Sequence, residues 1–342
     1  MQADRATFSP SRDPRLLTLY PLAFGGICVL LVKAAVMDKG VAELQRFSVT
    51  TLSLVVEALP FLLIGSVLSA LVHVYVSEKT LLRLLPRNRF LAVLAASALG
   101  LILPVCDCAT VPIVKRLLGK GVPLHVAVTF MLAVPMINPL VIFSTWFAFV
   151  QRPVMLLYRL VFGALTAIVI GLLLSVLDRK DEVMPGVRSE PGAADAHSHH
   201  DGQGLVQRVR EIAEHAGSDF FDIGRYFLAG VLLSSFIQTV LPVQSLAAVG
   251  HSPLLAVPLM IAAAYLLSLC SQADAFIAQS FLLPFSTGSI VAFLVFGPMI
   301  DLKNTLMLVP VLRKRLILLL IGMVAGCCLV IGYWIDLRAV AS

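Results

Sequence analysis

Seven stretches of this sequence are apolar over the length of a membrane crossing, and that feature decides what the chain can fold into. They run from Leu16 to Val36, Ser48 to Val76, Val122 to Val150, Val154 to Leu177, Phe220 to Leu241, Ser289 to Val309 and Leu316 to Ile335. A helix needs about 20 apolar residues to cross the hydrocarbon layer, and only a structure that satisfies its own backbone groups is stable there. An all-α polytopic membrane protein follows. With 59% hydrophobic and 13% charged residues, the chain carries about half the charge of an ordinary soluble domain. Lipid is therefore the solvent for most of it.

The formal charge of +6 does not mark a nucleic-acid binder, because Lys and Arg cluster in short loops beside apolar segments, where membrane topology needs them. Arg5, Arg12 and Arg15 precede the first apolar run, which is long for a signal segment and is followed by no small-residue cleavage site. We read it as a retained N-terminal transmembrane helix with its N-terminus in the cytoplasm. The six cysteines, Cys28, Cys106, Cys108, Cys270, Cys327 and Cys328, fall inside apolar stretches rather than at the spacings of a disulfide framework. They read as reduced thiols. Between 178 and 218 hydrophobicity collapses into Gly, Pro, Ala and charge, the composition of an exposed, flexible linker.

That linker separates two copies of one pattern. Gly65 lies 41 residues before Cys106 and Gly230 lies 40 before Cys270, while Pro135 follows the first cysteine by 29 and Pro298 the second by 28. Phe130-Met-Leu-Ala-Val-Pro-Met-Ile-Asn138 also matches Phe293-Leu-Val-Phe-Gly-Pro-Met-Ile-Asp301. An internal duplication accounts for both. The expected organisation is a tail with the first helix (1–47), repeat 1 (48–177), a cytoplasmic linker (178–218) and repeat 2 (219–342).

Loop charge orients the copies. In the first, Lys79, Arg83, Arg87 and Arg89 precede the cysteine region and Lys115, Arg116 and Lys120 follow its break; the matching parts of the second, 242–252 and 279–288, hold no Lys or Arg. Conversely, the loop that carries only Arg152 in the first copy becomes Arg313-Lys-Arg315 in the second. The bias is reversed, so the repeats are expected to be inverted in the membrane. Inversion requires an odd number of crossings per copy. Phe90 to Leu118, broken at Pro104-Val-Cys-Asp-Cys-Ala-Thr-Val-Pro112, and Pro253 to Phe285, broken around Ser268 to Asp274, are accordingly expected to be re-entrant helical hairpins beside three transmembrane helices per copy. Their tips would meet near the midplane, next to helices broken at Val134–Pro139 and Gly297–Asn304, as in transporters built from inverted repeats. The competing reading makes Phe90 to Val105 an ordinary crossing.

The chemistry concentrates at those breaks. Were the Cys106-Asp107-Cys108 tip extended, residues two apart would share a side; both thiols would then clamp one soft ion while Asp107 pointed elsewhere. Thiolates select soft metals and metalloids, and Cys270 is a further candidate ligand. Asp107, Asp274 and Asp301 are intramembrane carboxylates, each costing about 2.5 kcal/mol or more if ionised and unpaired; they read as ligands or proton carriers. Asn138 is the counterpart of Asp301, which Lys303 and Asn304 follow, and Ser271 and Gln272 sit beside Cys270. All are candidate substrate contacts. A buried Asp301–Lys303 pair that merely stabilises a helix break is the structural alternative. Glu57 and Asp222 also occupy matched positions, His73 and His125 lie near helix ends, and Cys28, Cys327 and Cys328 read as packing. In the linker, His197, His199 and His200 with Asp195 and Asp201 can bind zinc or copper or serve only as a solvated tether.

With Leu103-Pro-Val-Cys-Asp-Cys-Ala-Thr-Val-Pro112, Phe130 to Pro139, Leu267-Ser-Leu-Cys-Ser-Gln-Ala-Asp-Ala-Phe-Ile-Ala278 and Phe296-Gly-Pro-Met-Ile-Asp-Leu-Lys-Asn304, the chain resembles the permease family that includes the YraQ proteins and the ArsP organoarsenical exporters. The resemblance runs from about Val49 to Ile335. It implies efflux across a bacterial inner membrane, with trivalent organoarsenicals as substrate in one branch and soft or divalent metal ions in others. The family's Cys-x-Cys motif is matched by Cys106 and Cys108, here with Asp107 between them.

No Walker, nucleotide-binding, HExxH or GxSxG motif occurs. The sequence therefore points to a permease without a cofactor, working by alternating access and driven by an ion or substrate gradient or a partner ATPase. Its candidate partners are the bilayer, a thiophilic solute, a coupling proton and a second copy of the chain. A membrane-embedded thiol redox enzyme using the same cysteines is the alternative; a scaffold would leave the paired polar breaks unexplained.

Overall fold

The structure, a computed structural model, describes residues 40–75, 86, 88–102, 105–177, 183–184, 187, 205–240 and 255–341. The expected N-terminal helix and the linker cluster His197, His199 and His200 lie outside them, as do Arg87 and His251. Among the described residues twelve helices follow one another: α1 Gly40–Tyr75, α2 Arg89–Ile102, α3 Asp107–Gly119, α4 Leu124–Ile137, α5 Pro139–Ala148, α6 Val154–Leu177, α7 Leu205–Val240, α8 Ala256–Leu267, α9 Asp274–Ser280, α10 Thr287–Met299, α11 Leu302–Leu308 and α12 Lys314–Ala341. Among the described residues six segments are long and apolar enough to cross a membrane, namely Val41–Val72, Leu124–Ala148, Val154–Leu177, Val209–Val240, Thr287–Leu308 and Lys314–Arg338. The chain is an all-helical, multi-pass membrane protein. One boundary differs from expectation: α7 begins at Leu205, inside the stretch whose composition suggested linker, because its Arg, Glu and His residues are compatible with the polar first turns of a helix.

Two of the six crossing segments are broken inside. Pro139 disfavours helical backbone at the residue before it, and Asn138 is extended, its side chain accepting from the Leu140 N–H to restart the helix as α5. Asp301 plays the same part between α10 and α11, accepting from the Asn304 N–H at 2.6 Å, as an N-cap aspartate should. These broken segments form the centre. The α10–α11 span is largely buried, whereas α6 and α12 are buried over about a third of their apolar stretch and present exposed apolar side chains outward.

The cysteine-bearing regions each fold as two short limbs. α2 has 14 residues and α8 has 12, which at about 1.5 Å per residue gives roughly 21 and 18 Å, short of the ~30 Å hydrocarbon layer. The first region starts by the C-terminal end of α6, where the Arg89 guanidinium donates to the Ser175 carbonyl at 2.8 Å, and it ends beside the segment that follows α6, where a Cβ on Gly119 would lie 3.1 Å from the Val187 carbonyl oxygen. Both ends of the second lie by the C-terminal end of α12, with Val257 against Gly332 and Ser286 donating to Asp336 at 2.7 Å. The helices α6 and α12 run antiparallel. Val183, just past α6, bridges to Leu312, just before α12, while the opposite ends meet where Phe162 packs edge-on against Trp334, centroids 5.8 Å apart.

Candidate functional site

The first polar centre forms where α3 begins. Cys106 is extended (φ −81°, ψ 172°) and the helix starts with Asp107, a carboxylate favoured at the positive end of the helix dipole. The backbone therefore turns between the two cysteines instead of continuing as a strand, which corrects the expectation that Asp107 points away from them. Sγ of Cys106, a carboxylate oxygen of Asp107 and Sγ of Cys108 all lie within 4.8 Å of one another, and all three residues are buried. Both thiols are free.

The other half of the chain faces this group. Asp107 Oδ2 accepts from Asn304 Nδ2 at 3.2 Å and from the Cys108 thiol at 3.8 Å, and Lys303 Nζ stands 3.6 Å from it. The same ammonium lies 3.7 Å from Asp301, so the Asp301–Lys303 pair exists but is shared with Asp107. Asp107 Oδ1, Asp301 Oδ2 and Asn304 Oδ1 are buried and, among the described residues, find no hydrogen-bond donor. Buried acceptors without donors are costly, and all three belong to residues that meet at this centre. Asn138 holds the site in place, donating to the Val105 carbonyl at 2.8 Å and so tying the cysteine segment to the α4–α5 break.

Gly65 and Gly230 explain how helices come this close. A Cβ on Gly65 of α1 would sit 2.7 Å from the Ala109 Cα, and one on Gly230 of α7 would sit 2.9 Å from the Lys303 Cα. Real Cβ atoms do not approach backbone that closely, so glycine lets α1 press on α3 and α7 press on α11.

A second centre forms around Asp274, the first residue of α9. Both of its oxygens are taken by Arg159 of α6, at 2.9 and 2.8 Å, in the two-pronged geometry that makes arginine–carboxylate pairs strong. The guanidinium also donates to Thr145 Oγ1 and to the Ser271 carbonyl, each at 2.9 Å. Arg159 is fully buried and sequence reasoning missed it, although a cation inside an apolar run is a signal of function or pairing. Cys270 is buried, yet it lies outside the tight group of Cys106, Asp107 and Cys108; Gln272 is half-buried.

Asp219 of α7 was also missed. It is buried and receives Arg116 at 2.9 and 3.1 Å, Lys115 at 3.3 Å and Ser69 at 2.9 Å. This network joins α1, α3 and α7. Its neighbour Asp222 is half exposed and 3.7 Å from Lys115 rather than near the thiols, while Glu57 is half-buried in α1. Cys328 is buried in α12 and Cys327 half-buried beside it.

Residues 43–337 match the model of a family described as predicted permease, ArsP_1. The chain is 41% identical over 286 residues to the UPF0718 protein YcgR of Bacillus subtilis (strain 168), covering 82% of this chain and 95% of that one. It is 36% identical over 285 residues to a protein of Streptococcus mutans serotype c named as a candidate subunit of a two-component membrane permease complex, covering 82% and 93%. No solved structure matches.

Proposed function

The chain belongs to the ArsP_1 predicted permease family, and from that premise we propose that it is a secondary-type exporter of a thiophilic small solute, a trivalent organoarsenical or a soft metal ion, in a bacterial inner membrane. The carrying observation is the buried Cys106, Asp107 and Cys108 group with its ligand atoms within 4.8 Å, set against Lys303. Thiolate sulfur selects soft centres. A methylated arsenic(III) dihydroxide can bond both sulfurs, each new S–As bond taking up one thiol and releasing one water, so no redox step is involved. Bound to a soft cation instead, the thiols give up protons, and Asp107 and Asp301 are the carboxylates placed to take them. Lys303 offsets one of those two charges while the site is empty; a cationic cargo would compete with it.

Alternating access needs the site to be reachable from either face in turn. Two findings support the inverted arrangement: limbs too short to cross, and the antiparallel course of α6 and α12, with the start of the first region near the C-terminal end of α6 and the end of the second near that of α12. We read α2–α3 and α8–α9 as re-entrant hairpins from opposite faces, with the N-terminus cytoplasmic. Asp274, held by Arg159, positions the second hairpin.

Uptake into everted vesicles tests the proposal, screened over methylarsenite, zinc and copper(I). Vesicles bearing the native chain accumulate one of these above background, and the Cys106→Ser, Cys108→Ser double variant does not. Equal accumulation by both would overturn the thiol site.

A further inference from the structure

We propose that a cavity where the start of α6, the start of α10 and the end of α12 meet binds the phosphate of an anionic phospholipid. The cavity measures about 590 Å³ and is lined by Gln151, Arg152, Tyr158, Thr287, Ile335 and Arg338, among others. It takes no part in the cysteine centre.

Two guanidiniums border one cavity, and among the described residues no carboxylate forms an ion pair with either of them. Arg338 is held over the Trp334 ring, 4.5 Å from its centroid, which fixes its position by cation–π attraction and leaves its donors free for an anion. Asp336, on the same helix end, is already engaged by Ser286 Oγ and the Gly288 N–H, each at 2.7 Å. The positive end of α6 opens at Val154, next to Arg152, and adds to the local potential. Arginine forks match phosphate oxygens in geometry as well as charge.

The surroundings favour a lipid over a dissolved phosphate. Val154, Leu157 and Val161 on α6 and Val330 and Leu337 on α12 are exposed apolar side chains, so acyl chains would lie along them while the headgroup entered the cavity. Tyr158 and Trp334 are the ring types that settle at the headgroup level of a bilayer, which puts the two guanidiniums at the depth of a lipid phosphate.

Native mass spectrometry of the full purified chain, titrated with phosphatidylglycerol, phosphatidylcholine or inorganic phosphate, tests this. Phosphatidylglycerol adducts form on the native chain in preference to phosphatidylcholine. The Arg152→Gln, Arg338→Gln double variant binds phosphatidylglycerol about 30-fold more weakly, from about 1 kcal/mol per cation and 1.4 kcal/mol per factor of ten. Arg152→Gln alone, at an exposed position, loses about 5-fold on the same scale and serves if the double variant does not fold. Arg313→Gln with Arg315→Gln, at the other end of α12, leaves binding unchanged. Undiminished binding in the Arg152 variants, an equal loss in the Arg313 and Arg315 variant, or displacement of the lipid by millimolar inorganic phosphate would each overturn the lipid site.

Discussion

Lys303 and Asp107 face each other from the two halves of the chain, 3.6 Å apart and both buried. The ammonium has a second carboxylate, Asp301, at 3.7 Å, so one positive charge serves two negative ones. A site in that balance is close to needing another cation.

Lys303→Met should therefore be harmful in two measurable ways. Removing one partner of a buried ion pair costs about 3–5 kcal/mol, seen as a lower unfolding temperature of the purified chain in detergent. Adding Asp107→Asn should restore part of that stability, since one of the two carboxylates left uncompensated is gone, while vesicle uptake stays lost. An unfolding temperature unchanged by Lys303→Met would mean that the pair is not formed as described.

Arg159 and Asp274 give a parallel case with no open acceptor on the carboxylate. Arg159→Lys keeps the charge but not the fork, so it should retain only part of the stability, and Arg159→Met should lose about 3–5 kcal/mol. In a double-mutant cycle with Asp274→Asn the losses should not add, because the two groups share one interaction. Additive losses would show that the residues act independently.

Much of this arrangement was legible in the sequence. The crossing helices show as apolar runs, and the breaks at Asn138 and Asp301 show as proline and cap residues inside them. The position of Asp107 was misjudged because a periodicity argument needs the local conformation first, and an aspartate opening a helix gives a different answer from one inside a strand. Arg159 and Asp219 escaped notice for another reason. Each lies in a run that is otherwise an unbroken helix, and its partner is more than 100 residues away, at Asp274 and Arg116 respectively. Loop charge and motif spacing carry no information about such pairings.

The glycine contacts yield a prediction with its own control. Gly65→Ala and Gly230→Ala should each destabilise the chain by about 1–3 kcal/mol, the usual cost of overpacking, because the atoms they would strike include backbone atoms of α3 and α11, which cannot swing aside. Uptake should fall as well, as Lys303 is displaced. Gly322→Ala and Gly326→Ala in α12 meet nothing within 4 Å and should be neutral or stabilising by up to about 1 kcal/mol, the helix-propensity difference. Equal effects at all four positions would remove close helix approach as the explanation.

Alternating access depends on the two hairpins opening to opposite faces of the membrane. Asn88 is exposed just before α2, whose first residue bonds to Ser175 near the end of α6. Leu283 is 98% exposed between α9 and α10, three residues before Ser286, which bonds to Asp336 near the end of α12. Because α6 and α12 run antiparallel, these two sites should emerge on opposite faces of the membrane. A membrane-impermeant maleimide applied to intact cells should thus modify Leu283→Cys and spare Asn88→Cys, with the preference reversed in everted vesicles. The buried thiols of Cys106, Cys108 and Cys270 contribute little background. Modification of both positions from one side would mean that the two hairpins open to the same compartment, and a site between them would then have no second face from which to release its cargo.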